Sequence, residues 1–222
     1  MKKPFAAALA VAAAVSIAAC TSTTPTTTGT STPPPVDSAP SAAATAANSP
    51  SGAPVVNYEH GDYFFVTPAG AVGKFTVPSQ PVADIEAVRK LASAKPVQYI
   101  RVKVDNRKGQ ATSGAHGVKF YDASGKVYEF ESADGVVDRW RQADPNLVND
   151  TAKYNQFIDV SNKYRGSVEQ LAVGESVLVS EGPGLPVSFT GVKVQSGDGS
   201  DPVDAYPVEM LKLYGSSISL DF

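Results

Sequence analysis

The sequence predicts a mainly β domain, an antiparallel β-sandwich with one short helix and one long insertion, set behind a disordered stalk. Three observations carry that expectation. Apolar residues alternate with polar ones in many short segments, Gly and Pro clusters separate those segments, and a long stretch near the N-terminus is almost wholly Ser, Thr, Pro and Ala.

The chain opens on Met1-Lys2-Lys3, runs through 13 residues from Phe5 to Ile17 that include no charge, and reaches its sole cysteine at Ile17-Ala18-Ala19-Cys20. A membrane-spanning helix needs roughly 20 apolar residues. The run instead fits the apolar core of an export signal over residues 1–19. Ile17-Ala18-Ala19-Cys20 resembles the lipobox of bacterial lipoproteins. That resemblance implies cleavage before Cys20, attachment of lipid to its sulfur, and a protein exported and held on the outer face of the cytoplasmic membrane. An ordinary secretory signal with a bystander cysteine is the other reading. One thiol also rules out an intramolecular disulfide and a thiolate metal cluster.

From Thr21 to Pro54 only Gly29, Val36, Asp37, Asn48 and Gly52 are not Ser, Thr, Pro or Ala. Such a segment cannot bury enough apolar surface to fold, so residues 20–54 are expected to form a lipidated, disordered stalk. The stalk is either a spacer through a wall layer or a linker of no required length. Residues 55–222 then form a single domain, long enough to bury roughly 70% of its unfolded surface. Without Lys2 and Lys3 the 19 basic residues become 17, against 22 acidic ones. That balance argues against nucleic acid as a partner.

Within the domain, Ile100, Val102 and Val104 alternate with Tyr99, Arg101 and Lys103, as in a half-buried strand. Gly117–Tyr121 and Lys126–Phe130 flank Asp122-Ala123-Ser124-Gly125 and read as a hairpin. Further strands are expected at Gly73–Val77, Phe157–Val160, Ser167–Val173, Ser176–Ser180, Val187–Val194 and Val208–Leu213. A short helix is expected at Ala83–Leu91, where Ile85, Val88 and Leu91 share a face and charges complement the helix dipole. Glu131–Gln156 is long for a strand connection, and its Val136, Val137 and Trp140 are expected to dock on the core.

Three phrases occur in order: Val102-Lys103-Val104-Asp105-Asn106 with Gly109, Phe120 to Tyr128, and Leu171-Ala172-Val173-Gly174-Glu175-Ser176-Val177. Together they resemble the immunoglobulin-like sandwiches of unknown function found in many Gram-positive lipoproteins, a group similar in fold to a secreted immunogenic mycobacterial protein. The resemblance spans Val97 to about Val194. It implies an immunoglobulin-like antiparallel β-sandwich and an envelope address, and it supplies no catalytic residues.

No assembled catalytic motif is legible. His60 and His116 are the only histidines, and neither accompanies a Gly-x-Ser-x-Gly elbow. Ser-x-x-Lys and phosphate-loop frames are missing, so no nucleotide cofactor is implied. Asp198, Asp201 and Asp204 are weak calcium candidates, because their spacing is not that of an EF-hand loop. Glu59, His60 and Asp62 could supply metal ligands or simply form a surface turn. Trp140, Tyr154 and Tyr164 are candidate ligand contacts, since aromatic rings beside Asn, Lys and Arg can stack on sugars. The expected function is therefore a lipid-anchored, non-catalytic envelope binding or interaction module that requires no cofactor. Its partners are the membrane through Cys20 and an envelope protein or cell-wall glycan. A glycan-binding protein and a carboxylate-dependent wall hydrolase are the alternatives.

Overall fold

A computed structural model describes residues 56–214 and 217–222, and the export signal, Cys20 and the stalk lie outside the described residues. All described residues belong to one compact unit, Gly52–Phe222. The architecture is mainly β and antiparallel. In chain order it comprises β1 (Tyr58–Glu59), β2 (Gly61–Val66), β3 (Val72–Val77), α1 (Ala83–Leu91), β4 (Gln98–Asp105), β5 (Ala115–Tyr121), β6 (Val127–Ser132), α2 (Ala133–Ala143), α3 (Thr151–Lys163), β7 (Val173–Ser180), β8 (Ser188–Phe189), β9 (Gly191–Ser196), β10 (Val203–Asp204) and β11 (Tyr206–Pro207).

Nine of these strands form one sheet in the order β10-β9-β5-β6-β7-β4-β3-β2-β11. Its two ends are nearly consecutive in the chain. β10 pairs with β9 and β11 pairs with β2, with only Ala205 between them. Ala205 is fully buried and donates its N–H to the Val192 carbonyl at 2.9 Å. The β1–β8 pair, Tyr58↔Phe189, ties the same two ends together below. The sheet is thus closed on itself like a barrel, and closure leaves few unpaired edges.

Inward residues from both halves fill one core. Tyr63, Phe65, Phe75, Ile100, Val102 and Val104 come from β2, β3 and β4, and they meet Val118, Phe120, Phe130, Val192 and Val194 from β5, β6 and β9. The alternation expected for β4 is realised: Ile100, Val102 and Val104 are fully buried, while Arg101 and Lys103 are exposed. The hairpin forms as expected. Asp122 Oδ1 accepts from the Ser124 and Lys126 amides at 2.8 and 3.0 Å, and Gly125 takes φ +82°.

A second core lies on the outside of β4 and β7. Tyr99, Val177 and Val179 point away from the barrel and are covered by Ile85 and Val88 of α1, Val136, Val137 and Trp140 of α2, and Phe157 and Val160 of α3. Three of the expected strands are corrected here. Phe157–Val160 belongs to a helix, because Phe157, Val160 and Tyr164 recur at helical spacing and Asp150 caps the first turn by accepting from the Lys153 amide at 3.1 Å. The long insertion is therefore two helices joined by a 3₁₀ turn at Leu147–Asn149, and it docks on the sheet. Only the last residue of Ser167–Val173 is in a strand: Val173 begins β7, and before it Leu171 at φ +64° breaks the extended run, which is held by the Ser113↔Val168 bridge and by backbone bonds of Leu171 and Ala172 to Asn106. Val208–Leu213 is a 3₁₀ helix launched by Pro207, lying against β2.

A polar clamp fastens α1 to the sheet. Arg89 donates to both carboxylate oxygens of Glu86 at 2.8–3.0 Å and to the Ala94 carbonyl, and the Tyr99 hydroxyl donates to Glu86 Oε1 at 2.7 Å. The Arg89 guanidinium, opposed by partial burial and aided by the Tyr99 hydroxyl, holds the Glu86 carboxyl below its ordinary value of 4.5. A carboxyl depressed by folding contributes stability that is fully present above its unfolded value and is lost as pH falls through the folded one. Urea unfolding at pH 7 and pH 3 should therefore show that Glu86→Gln loses less stability on acidification than the parent. Equal losses in the two proteins would remove Glu86 from the acid limb.

Candidate functional site

The register of β3 and β4 builds a charged surface. Lys74 sits directly opposite Lys103, and Phe75 opposite Val102. Because Phe75 and Val102 fill the core, Lys74, Thr76, Arg101 and Lys103 project from the other face. On the next strand Glu175 is the register partner of Lys103. The outer face of β7 is covered by the helices from Val177 onward. On β2, Phe64 is covered by Tyr206 and Tyr214, whose rings lie 6.2 and 5.5 Å from its own. The face of β3 and β4 between these covers stays open as a groove of about 870 Å³, with Pro78, Ser79, Gln80, Val208 and Leu220 completing its walls.

The groove's polar groups are partly engaged. Arg101 approaches Glu175 at 3.8 Å with both side chains about 40% exposed, a loose and solvated pair of little energetic weight. The Thr76 hydroxyl donates to Asp62. Lys74 Nζ donates to the Leu220 carbonyl and lies 4.6 Å from the centre of the Phe222 ring, so the last residues of the chain rest along one side. Lys103 is exposed, and no ion pair among the described residues includes it. Burial pushes the Tyr63 phenol up, and that ring faces the core, where it stacks on Phe75 and donates its hydroxyl to the Glu59 carbonyl.

No family model matches this chain, and no curated protein or solved structure matches it either. What the surface can do is therefore read from its own chemistry: cations on a rigid sheet, flanked by hydroxyls and by one apolar wall.

A smaller pocket of about 390 Å³ adjoins the groove through Asp62 and Tyr63, and Glu59, His60, Glu209 and Met210 line it. His60 packs toward Phe189, with ring centres 6.0 Å apart. Glu59, His60 and Asp62 do not converge: among the described residues no group of three or more His, Cys, Asp or Glu side chains is placed to hold a metal ion.

The weak calcium candidates do not converge either. Asp204 is used across the β9–β10 ladder, where Lys193 lies 3.1 Å from it, and Asp201 is exposed. Asp198 Oδ1 accepts from Ser196 Oγ and from the Ser200 amide and hydroxyl; burial pushes its carboxyl up, but those bonds outweigh burial and hold it below the usual range. The three carboxylates do not converge: Asp198 is held within its own turn through Oδ1, Asp204 faces Lys193, and Asp201 is exposed.

The candidate aromatic contacts also have structural tasks. Trp140 is 5% exposed, packs among the helices, and donates its indole N–H to Glu181 at 2.8 Å. Arg141 lies 5.2 Å from the centre of the Tyr154 ring and donates to its hydroxyl at 3.0 Å, which occupies both the face and the tip of that side chain. The Tyr164 hydroxyl donates to Asp84 at 3.1 Å, and Lys163 lies over the ring.

Sequence reasoning placed Arg101 and Lys103 on the outward face of a strand but gave them no part in a site. Lys74 was hidden further still, because only the β3–β4 register brings it beside Lys103. The signal that could have found the groove was the second cationic residue at period two, Arg101-Val102-Lys103, in an otherwise acidic chain.

Proposed function

We propose that this protein is a lipid-anchored module of the bacterial cell envelope that works by binding rather than by catalysis, tethered through Cys20 and presenting its β domain on a stalk. The observation that carries the reading is the pairing of the lipobox-like Ile17-Ala18-Ala19-Cys20 with a Ser/Thr/Pro/Ala stretch and a single compact domain. A lipid of this kind tethers a domain without spanning the bilayer, and no helix among the described residues is long and apolar enough to cross one. The groove on β3 and β4 supports a binding role, since it offers an open and charged face on a rigid sheet. The resemblance to Gram-positive lipoproteins is in keeping with this address.

Cys20→Ala tests the tether. The variant should fold as the parent does yet move from the membrane fraction to the soluble exported fraction, and its mass should lack the lipid increment. Retention of the variant in the membrane at parental level would overturn the proposal.

A further inference from the structure

We propose that the groove over β3 and β4 is a binding site for a polymer bearing repeated anionic groups, phosphate or carboxylate, with Lys103 and Arg101 as its principal contacts and Lys74 as a third. The inference deepens the binding role proposed above by naming site and ligand chemistry, and it rests on that reading only for the role, not for the membrane tether.

The register supplies the first reason. Lys74 and Lys103 stand directly opposite each other on neighbouring strands, an arrangement in which like charges repel and weaken the sheet. Arg101 adds a third cation two residues along the same face of β4. Glu175, the register partner of Lys103 on its other side, offsets only part of this charge, and an anion lying across the three cations would relieve the rest. The second reason is the loose hold of the surrounding acids. Glu175 is shared at 3.8 Å with Arg101, Asp62 is occupied with Thr76, and Lys103 has no carboxylate in ion-pair reach among the described residues. Elsewhere on the sheet, cations face acids closely: Lys119 pairs with Glu129 at 2.9 Å and Lys193 with Asp204 at 3.1 Å. The third reason is shape. The groove is open to solvent over β3 and β4, and its volume of about 870 Å³ lies within the range of ligand sites. Its fixed backbone sets the spacing of the cations, and planar guanidinium geometry at Arg101 suits either oxyanion.

The chain is acidic overall, with 22 acidic against 19 basic residues, so non-specific attraction of polyanions is weak and local binding should stand out. Affinity should also fall steeply with added salt, because the cations are solvent-exposed.

The test uses the exported protein with two probes, a glycerol-phosphate oligomer and a galacturonate oligomer, in calorimetric titrations at low and physiological salt. Binding of one or both is expected, and the two arms tell phosphate from carboxylate as the source of the anion. R101E/K103E should weaken binding at least tenfold. K126E/K153E, which makes the same charge change on the hairpin and on α3, should leave it within twofold. Lys103→Thr separates ligand contact from structural support: it should lose affinity while its Tm stays equal to or above that of the parent, since it removes the Lys74 repulsion. No binding of either probe, or equal losses in the two double variants, would overturn the site. Lower Tm in Lys103→Thr together with unchanged affinity would assign that lysine to the fold instead. None of these results bears on Cys20, so the tether stands or falls separately.

Discussion

Asn106→Ala is expected to cost about 3 kcal/mol of stability and to lower Tm by roughly 6–12 °C. Asn106 is fully buried, and its amide donates to the carbonyls of Ala111, Val168 and Glu169 at 2.9, 2.9 and 3.1 Å. Its backbone joins the same knot: its N–H goes to the Ala172 carbonyl, and its own carbonyl accepts from Leu171 and Gly109. Alanine would leave the Ala111 carbonyl without this donor, whereas Val168 keeps the Ser113 amide at 2.9 Å and Glu169 keeps the Ala172 amide at 3.3 Å. Asn106→Asp is the sharper form of the test, because a carboxylate of the same size presents an acceptor where three carbonyls converge. It should be at least as destabilising as alanine at pH 7. Thermal unfolding of both variants would decide it, and a near-parental Tm for the aspartate variant would show that the donor is not what matters.

Gly73→Ala is expected to be comparably severe, about 1–3 kcal/mol or somewhat more. Phe65 and Gly73 are register partners, and the ring of Phe65, which is fully buried, lies across the glycine. A methyl group at Gly73 would come within 2.1 Å of ring carbons. The ring sits in the closed barrel core and has nowhere to swing. Phe65→Leu should therefore be less damaging in the Gly73→Ala background than alone, and a double-mutant cycle on urea midpoints reads that coupling. Strict additivity would mean that the ring and the glycine do not share the space.

The knot around Asn106 draws on two stretches of sequence, Val102 to Gly109 and Leu171 to Val177. In Asn106-x-x-Gly109 a Cβ on the glycine would fall 1.7 Å from Asn106 Oδ1, so the side chain can enter its buried position only over a glycine. In Leu171 to Val177, Gly174 makes room for Val168, whose Cγ2 would lie 2.6 Å from a Cβ there. Ser176 Oγ donates to the Gly166 carbonyl at 2.7 Å and accepts from the Ala115 amide at 3.2 Å. The two stretches, far apart in the chain, are halves of one hydrogen-bonded knot at the end of β4 and the starts of β5 and β7.

Local pattern was enough for much of this protein. Alternation located β4, the Asp122–Gly125 turn located the β5–β6 hairpin, and the Ile85–Val88 spacing with its charge arrangement located α1, because each is set by neighbours within one turn or one strand. The same local reading failed at Phe157–Val160. Four residues hold too short a sample to tell period two from 3.6, and the helix declares itself only over the longer span from the Asp150 cap to Tyr164.

What tertiary structure decided is how the strands meet. Pairing register is a property of two segments at once, so the facing of Lys74 with Lys103, the burial of the Phe65 ring over Gly73, and the closure of the sheet by residues 203–207 could not be read from any one of them. Burial, likewise, is a property of what covers a residue. Trp140 and Tyr154 looked like contacts because their neighbours in the chain are polar, yet the helical layer engages both, while the open face fell to lysines and an arginine on strands whose other side packs the core.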